Sequence, residues 1–460
     1  MWVLVILISL ICFGIGTFLY LTWNFNYWRN QCVLGPRPNI FKGSFPKTSE
    51  GICNLVEELH EIYLKYKETQ CYVGVFAARS PKLFILDPKL ASLILKTKFN
   101  SFRDNESSLW ASAHVEELRF GSPFVSVGNA WKEKRNKLVQ LISTKAIRSH
   151  SNFMKEYARR MTLFIKSGDS NSTWDIKDVP MRCVNYYGRT SCFPFLRKLY
   201  PVRFFPLITD EYFKGLVKRA LQGNIGDSNN TENCVLRRLL QIKTKNDLSV
   251  IEIAGHTTTV LIDGFETAAI VIANCLLMLA RNQRVQTKLR QYLKECDEDT
   301  LYSENTTNNY LNSCIQETLR LFPPLATLFK ICTESVTLDN YLNDTKVELR
   351  PGDQIYISSY SFHHDPTYFD EPEKYWPERF DAEFGGVLKY KEMGAFLPFG
   401  DGPRMCPGMK LALMEVKIAV VELIREFELV SANGEENKLD PNSFLLKIDG
   451  DILLKIKKIN

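Results

Sequence analysis

The stretch Phe399-Gly-Asp-Gly-Pro-Arg-Met-Cys-Pro-Gly408, followed by an apolar segment with helical spacing, decides how this chain is read. Its one cysteine, Cys406, falls at the start of a predicted helix that runs to about Phe427. A helix N-terminus offers free backbone N–H groups and the positive end of the macrodipole, and both favour a thiolate. Gly402 and Gly408 allow a tight loop and close approach of a flat ligand to the backbone. Pro407 suits a first helical turn, where no N–H is needed. Arg404 can pair with a carboxylate on such a ligand. The same residues also make an ordinary glycine-rich turn with an inert cysteine, so the decision depends on the rest of the chain.

Working outward, the spacing predicts a helix over about Thr307 to Phe322, closed by Pro323-Pro324 and carrying Glu317-Thr-Leu-Arg320. Leu349 to Tyr360 alternates like a strand, and His363-His-Asp-Pro366 and Pro377-Glu-Arg-Phe380 follow it. About Asp247 to Ala280 is a helix too apolar on most faces to lie on the surface. Thr259, Asp263, Glu266 and Thr267 share one face of it, and such a polar stripe is costly unless it meets partners or water. Cys71 to Leu86 reads as two strands joined by a turn, and Pro88 to Lys98 as a short helix. The expected fold is mainly α with small β-sheets, built as one domain.

The first segment matches F-x-x-G-x-R-x-C-x-G at every fixed position, through Phe399, Gly402, Arg404, Cys406 and Gly408. It resembles the haem-binding signature of the cytochromes P-450. With average residue usage, a chance match has a probability on the order of one in ten thousand. Other segments resemble the same family in the same order. Glu317 and Arg320 are similar to its E-x-x-R, and Arg379 to the arginine of its P-E-R-F; together they imply a buried cluster that supports the cysteine loop from behind. Trp131 and Arg135 are similar to its W-x-x-x-R, which implies contact with a haem propionate. Gly264-Phe-Glu-Thr267 resembles its distal motif, in which an acid and a threonine, here Glu266 and Thr267, guide protons to the distal side of the haem. His363-His-Asp-Pro366 is similar to a structural turn, so no non-haem metal is expected there.

The resemblance implies haem b with an axial thiolate from Cys406. It also implies insertion of one atom of O₂ into a lipophilic substrate with NADPH-derived electrons. The partners it implies are a flavoprotein reductase and, as a further donor, cytochrome b5. The motif style is closest to the insect detoxification branch. Two other readings stay open: a haem-thiolate isomerase or dehydratase, and a non-catalytic haem-binding protein.

Several departures bear on the second of these. Trp131 and Thr267 are 136 positions apart by subtraction of their numbers, about 40 short of the family's usual spacing. The shortening falls between about 185 and 205, where the family builds the lid over its substrate pocket. Asp263 stands where the family has Ala or Gly, and Ala268 where it has Thr or Ser. Lys330 stands where many members bind a propionate with Arg, and would do so as a point charge.

Residues 1–28 carry no charged side chain, and their apolar run is long enough to span a bilayer. Trp23, Tyr27 and Trp28 suit an interfacial belt, and Arg29, Arg37, Lys42 and Lys47 leave the remainder on the cytosolic side. The predicted organisation is an anchor over 1–28, a Pro/Gly hinge over 29–46 and a catalytic domain over 47–460, at the endoplasmic reticulum membrane. Twelve scattered cysteines without a C-x-x-C pair exclude a zinc site or disulfide scaffold and fit a reducing compartment. The net charge of +6 is too modest and too dispersed for nucleic-acid binding. Lys132, Lys134, Arg135, Lys137 and Lys410 make a candidate docking face for an acidic partner.

Overall fold

The computed structural model describes residues 2–109, 116–167, 173–175, 207–222, 249–302, 309–432, 434 and 438–459. The first half contains α1 (Trp2–Thr22), α2 (Leu55–Tyr66), β1 (Tyr72–Ala77), β2 (Ser80–Ile85), α3 (Pro88–Leu95) and β3 (Asp104–Asn105). It continues with α4 (Glu117–Gly121), α5 (Gly128–Leu141), α6 (Thr144–Ser167) and β4 (Thr173–Asp175). The second half begins with α7 (Leu207–Leu221), α8 (Val250–Arg281), α9 (Gln283–Glu295) and α10 (Tyr310–Leu321). Strands β5 (Thr327–Ile331), β6 (Val336–Asn340), β7 (Thr345–Leu349) and β8 (Gln354–Ser358) follow. Last come α11 (Ser359–His363), α12 (Met409–Glu426), β9 (Phe427–Ser431) and β10 (Leu453–Lys458). The expected lid shortening lies outside the described residues.

Local chemistry sets the helix starts. Asn54 and Glu57 form a capping box on α2, and Asp87 caps α3 with Pro88 in its first turn. Ser249 and Glu252 form another box, and α8 begins at Val250. Asn309 accepts from the Asn312 N–H and starts α10. The strand expected over Leu349–Tyr360 is broken into three pieces. Leu349 closes β7, a turn with Gly352 at φ 101° follows, and Ser358 ends β8 by capping α11.

The main sheet has the order β1-β2-β8-β5-β3, with β2 and β8 parallel and the other pairs antiparallel. Its register sets Asn105 opposite Lys330, which brings β3 into the site described below. Two large apolar clusters hold the molecule. One joins α8, α9, α10, α12, β9 and β10; the other lies under the main sheet with α2 and α3. The cysteine loop bridges them, because Leu397 belongs to the sheet cluster while Phe399 and Leu413 pack on the helical one.

Two described helices, α1 and α8, are long and apolar enough to cross a bilayer. α8 is a core helix, as its apolar residues from Ala273 to Ala280 are buried among α9, α10 and α12. α1 instead presents its side chains outward, and only Leu21 is buried. The stretch expected to be a short stiff hinge is docked on the sheet, and Trp28, expected in an interfacial belt, packs in the core with it. Trp28 is buried and its Nε1 donates to the Val75 carbonyl, while the Gly74 N–H donates to the Leu34 carbonyl. Glycines permit the approach: a Cβ on Gly35 would fall 1.9 Å from the Gly74 oxygen. Trp28, Val33 and Phe45 gain more by joining the core than by remaining in water.

Candidate active site

The cysteine loop owes its path to two glycines in the left-handed region, Gly400 and Gly402, both at φ 70°. The requirement at Gly402 is steric as well, since a Cβ there would lie 2.0 Å from the Leu95 carbonyl oxygen at the end of α3. The sequence suggested close approach of a ligand at Gly402; the structure assigns that glycine to loop packing. Asp401 ties the loop to α3 through Lys96 at 2.7 Å. The Cys406 N–H donates to the Phe399 carbonyl at 2.8 Å, and α12 starts three residues after the cysteine. A Cβ on Gly408 would lie 3.8 Å from the Cys406 Sγ, an ordinary contact.

Cys406 is half-buried, and its thiol is closely surrounded by protein. Burial pushes it above the usual cysteine range, while the Gly408 and Met409 N–H groups and the Arg135 guanidinium favour the thiolate. The expected helix-terminal environment is therefore present, but desolvation outweighs it until a cation arrives to pair with the sulfur.

Behind the loop, α10 is buried on every face and carries Glu317 and Arg320. Glu317 accepts two 2.8 Å bonds from Arg320, one of 3.1 Å from the Arg379 Nε and one of 2.9 Å from the Trp376 N–H. Arg320 also donates to the His363 carbonyl, and Arg379 to the Asp370 carbonyl. The Glu317–Arg320–Arg379 cluster is thus assembled, and His363 connects it to the cysteine loop. Its Nε2 accepts from the Leu397 N–H at 3.0 Å, so its proton is on Nδ1, which donates to the Arg320 carbonyl at 3.0 Å. Burial pushes His363 down to about 3, which keeps that neutral tautomer.

On the flank, Trp131 is buried and carries the Arg404 guanidinium over its ring at 4.5 Å. Arg404 donates to the Asp104 carboxylate at 3.1 Å and to the Ser126 carbonyl at 2.7 Å, while its buried Nε has no partner. Arg135 donates to the Met405 carbonyl at 2.8 Å and steadies the loop. Lys330 is buried beside them, donates to Asn105 Oδ1 at 2.9 Å, and is pushed down to about 7 by burial and then by Arg404. Burial likewise pushes Arg404 down to about 10. A buried guanidinium with an idle N–H, paired with one carboxylate and next to the Lys330 amine, suits a flat ligand bearing carboxylates. Asp104 and Asn105 were not legible in the sequence, because only the β3–β5 pairing brings them here.

Within electrostatic reach of the cysteine, α8 widens into a π turn over Thr259–Asp263. A Cβ on Gly264 would meet nothing within 4 Å, so open space adjoins the helix there. The Thr267 hydroxyl donates back to the Asp263 carbonyl at 2.7 Å. Glu266 forms an ion pair with Lys447, from the loop before β10, and does not bond to Thr267. Asp263 is exposed by surface area, but the protein crowded around its carboxyl raises it to about 7, and it is within electrostatic reach of Cys406. Thr259 is buried and bonds back to Gly255, so it leaves the polar stripe.

A family model described as "Cytochrome P450" matches residues 208–455. The chain is 32% identical to "Probable cytochrome P450 28d1" of Drosophila melanogaster, with 96% of each chain covered. It is 29% identical to "Probable cytochrome P450 309a2" of the same species, over 96% of this chain and 90% of the relative. It is 26% identical to "Cytochrome P450 9e2" of Blattella germanica, over 98% of this chain and 96% of the relative. The first alignment spans 488 positions against 460 residues, so gaps fall within this chain, in keeping with a shortened segment. The chain belongs to the cytochrome P450 family, in its insect-type branch, and is a haem-thiolate monooxygenase whose cofactor is haem b held by a cysteine thiolate.

Proposed function

We propose that the protein is anchored to the endoplasmic reticulum membrane by residues 1–28 and oxygenates a lipophilic substrate from the cytosolic face, with Cys406 as the iron ligand. The outward apolar surface of α1 supports the anchor, since such a helix is stable only when lipid or protein covers it. Residues 29–46 are then a docked strap, and 47–460 the catalytic domain. Electrons come from an NADPH-dependent flavoprotein reductase, with cytochrome b5 as a second donor. The basic residues of α5 and Lys410 are the docking face.

The observation that supports the reading is a thiol at Cys406 within electrostatic reach of Asp263, beside the open side of α8 at Gly264, with the buried Arg404 guanidinium on its flank. Haem, when bound, supplies the reductive activation of O₂. Arg404 and Lys330 hold its carboxylates, and Trp131 shields the Arg404 guanidinium from water. Phe399, Gly402 and Gly408 hold the loop in its path, and Arg135 fixes the Met405 carbonyl. Glu317, Arg320 and Arg379 brace it through His363. On the opposite side the Thr267 hydroxyl and the Glu266 carboxylate handle protons, with Lys447 orienting Glu266.

The test is the reduced, CO-bound absorption spectrum together with NADPH- and O₂-dependent turnover. Cys406→Ser should abolish the thiolate-type band, because a hydroxyl is not a soft anionic donor. An unchanged band would remove Cys406 from its role. Turnover without NADPH and O₂ would instead indicate an isomerase or dehydratase.

A further inference from the structure

The end of α1 meets two turns of the folded body at one corner. Asn24, just past α1, donates from Nδ2 to the Arg79 carbonyl at 3.3 Å, and Arg79 lies in the turn between β1 and β2. The Arg79 guanidinium sits over the Tyr20 ring of α1, 3.8 Å from its centre. The third element is the turn over residues 39–43, closed by mutual backbone bonds between Asn39 and Gly43. It is pressed against the same β1–β2 turn, because Gly43 pairs with Ala77 and a Cβ on Gly43 would fall 2.5 Å from the Ala78 oxygen. The strap leading into it is held by Trp28, Val33 and Phe45 in the core.

Apolar side chains of this corner stay outside. Trp23 is 79% exposed, Phe41 64% and Ile40 37%. Single exposed apolar residues are ordinary on a protein surface, but these continue the outward apolar face of α1 onto the folded body. The neighbouring lysines are taken, Lys42 by Glu50 and Lys47 by Glu61. Arg79 has no carboxylate partner among the described residues, and its buried Nε is idle. A guanidinium with one face on an aromatic ring and its N–H edge idle presents a fork for phosphate oxygens. A cation beside apolar tips matches the boundary between lipid headgroups and acyl chains.

We infer that this corner is a binding site for one anionic phospholipid, its phosphate held by Arg79 and its acyl chains lying along Trp23, Ile40 and Phe41. Its membrane setting rests on the proposed anchoring by α1, which puts the corner at headgroup level. Phosphatidylcholine should bind less well, because its own ammonium offsets the phosphate charge that Arg79 meets.

Full-length, haem-loaded protein in a non-ionic detergent would be titrated with dioctanoyl phosphatidylglycerol, dioctanoyl phosphatidylcholine and inorganic phosphate. Binding would be read by isothermal titration calorimetry. The wild type should prefer phosphatidylglycerol to phosphatidylcholine by roughly ten- to a hundredfold, the worth of one charge-assisted hydrogen bond. Arg79→Gln should erase that preference and leave the phosphatidylcholine affinity as it was. Trp23→Ser combined with Phe41→Ser should weaken both lipids together while the preference survives. A CO spectrum like that of the wild type verifies the fold of each variant. Equal wild-type affinities for the two lipids, or a preference that Arg79→Gln retains, overturn the inference. Inorganic phosphate binding as tightly as phosphatidylglycerol overturns it too, since the site would then be one for a free anion. Anchoring is checked separately, by retention of the wild type on phosphatidylcholine vesicles through an alkaline carbonate wash. Release from those vesicles refutes the anchor, while an Arg79-dependent preference found alongside it keeps the lipid site.

Discussion

Glu317 gives the sharpest test of what holds the cysteine loop in place. Its carboxylate is fully buried and accepts four hydrogen bonds, three of them from two guanidinium groups. Glu317→Ala leaves Arg320 and Arg379 buried beside a cavity, without a counter-charge. Removing one partner of a buried ion pair costs about 3–5 kcal/mol. Against a total stability of about 5–15 kcal/mol, that is a large share. Glu317→Gln keeps the volume but turns an N–H toward guanidinium N–H groups, so it should recover only part of the loss. Arg379→Ala should cost less than Glu317→Ala, since it removes a single 3.1 Å bond to Glu317 and leaves the two-fold Arg320 contact. The assays are thermal unfolding at a fixed scan rate and the haem-loaded fraction from the CO spectrum. Damage should follow the order Glu317→Ala, Glu317→Gln, Arg379→Ala in both. If Glu317→Ala unfolded at the wild-type temperature with full haem content, the cluster would not brace the loop.

Acid should destabilise the protein through its buried imidazoles. His363 is pushed down to about 3 in the folded state, so above pH 6.5 both folded and unfolded rings are neutral and stability is complete. Between about pH 6.5 and 3 the unfolded chain takes up a proton that the folded ring refuses, and stability falls by up to about 1.4 kcal/mol per pH unit. His364, also pushed down by burial, adds to the slope. Urea unfolding at pH 7.5, 6 and 5 reads this; His363→Gln should flatten the dependence, and an unaltered slope would refute the account. Thr267→Ala should leave haem content intact but raise the ratio of hydrogen peroxide to oxygenated product. An unchanged ratio at normal turnover would reduce Thr267 to a helix residue bonded to its own backbone.

The sequence by itself determined those features whose chemistry is local. The helix starts expected at Pro88 and about Asp247 and Thr307 lie within three residues of those observed, where Asp87, Ser249 and Asn309 cap the chain locally. The i,i+3 spacing of Glu317 and Arg320 on an apolar helix announced their pairing. The ten residues from Phe399 to Gly408 specified the cysteine loop, because positive-φ glycines leave few alternatives. The tertiary structure alone decided the contacts between distant segments. Arg404 meets Asp104, 300 positions away, only because β3 pairs with β5. Lys447 meets Glu266 across 181 positions, and Gly402 is required by a carbonyl of α3. Arg135 meets the Met405 carbonyl, 270 positions away, for the same reason. No periodicity or propensity encodes such meetings: a side chain's partner depends on how packed elements stack, and many stackings satisfy the same local pattern.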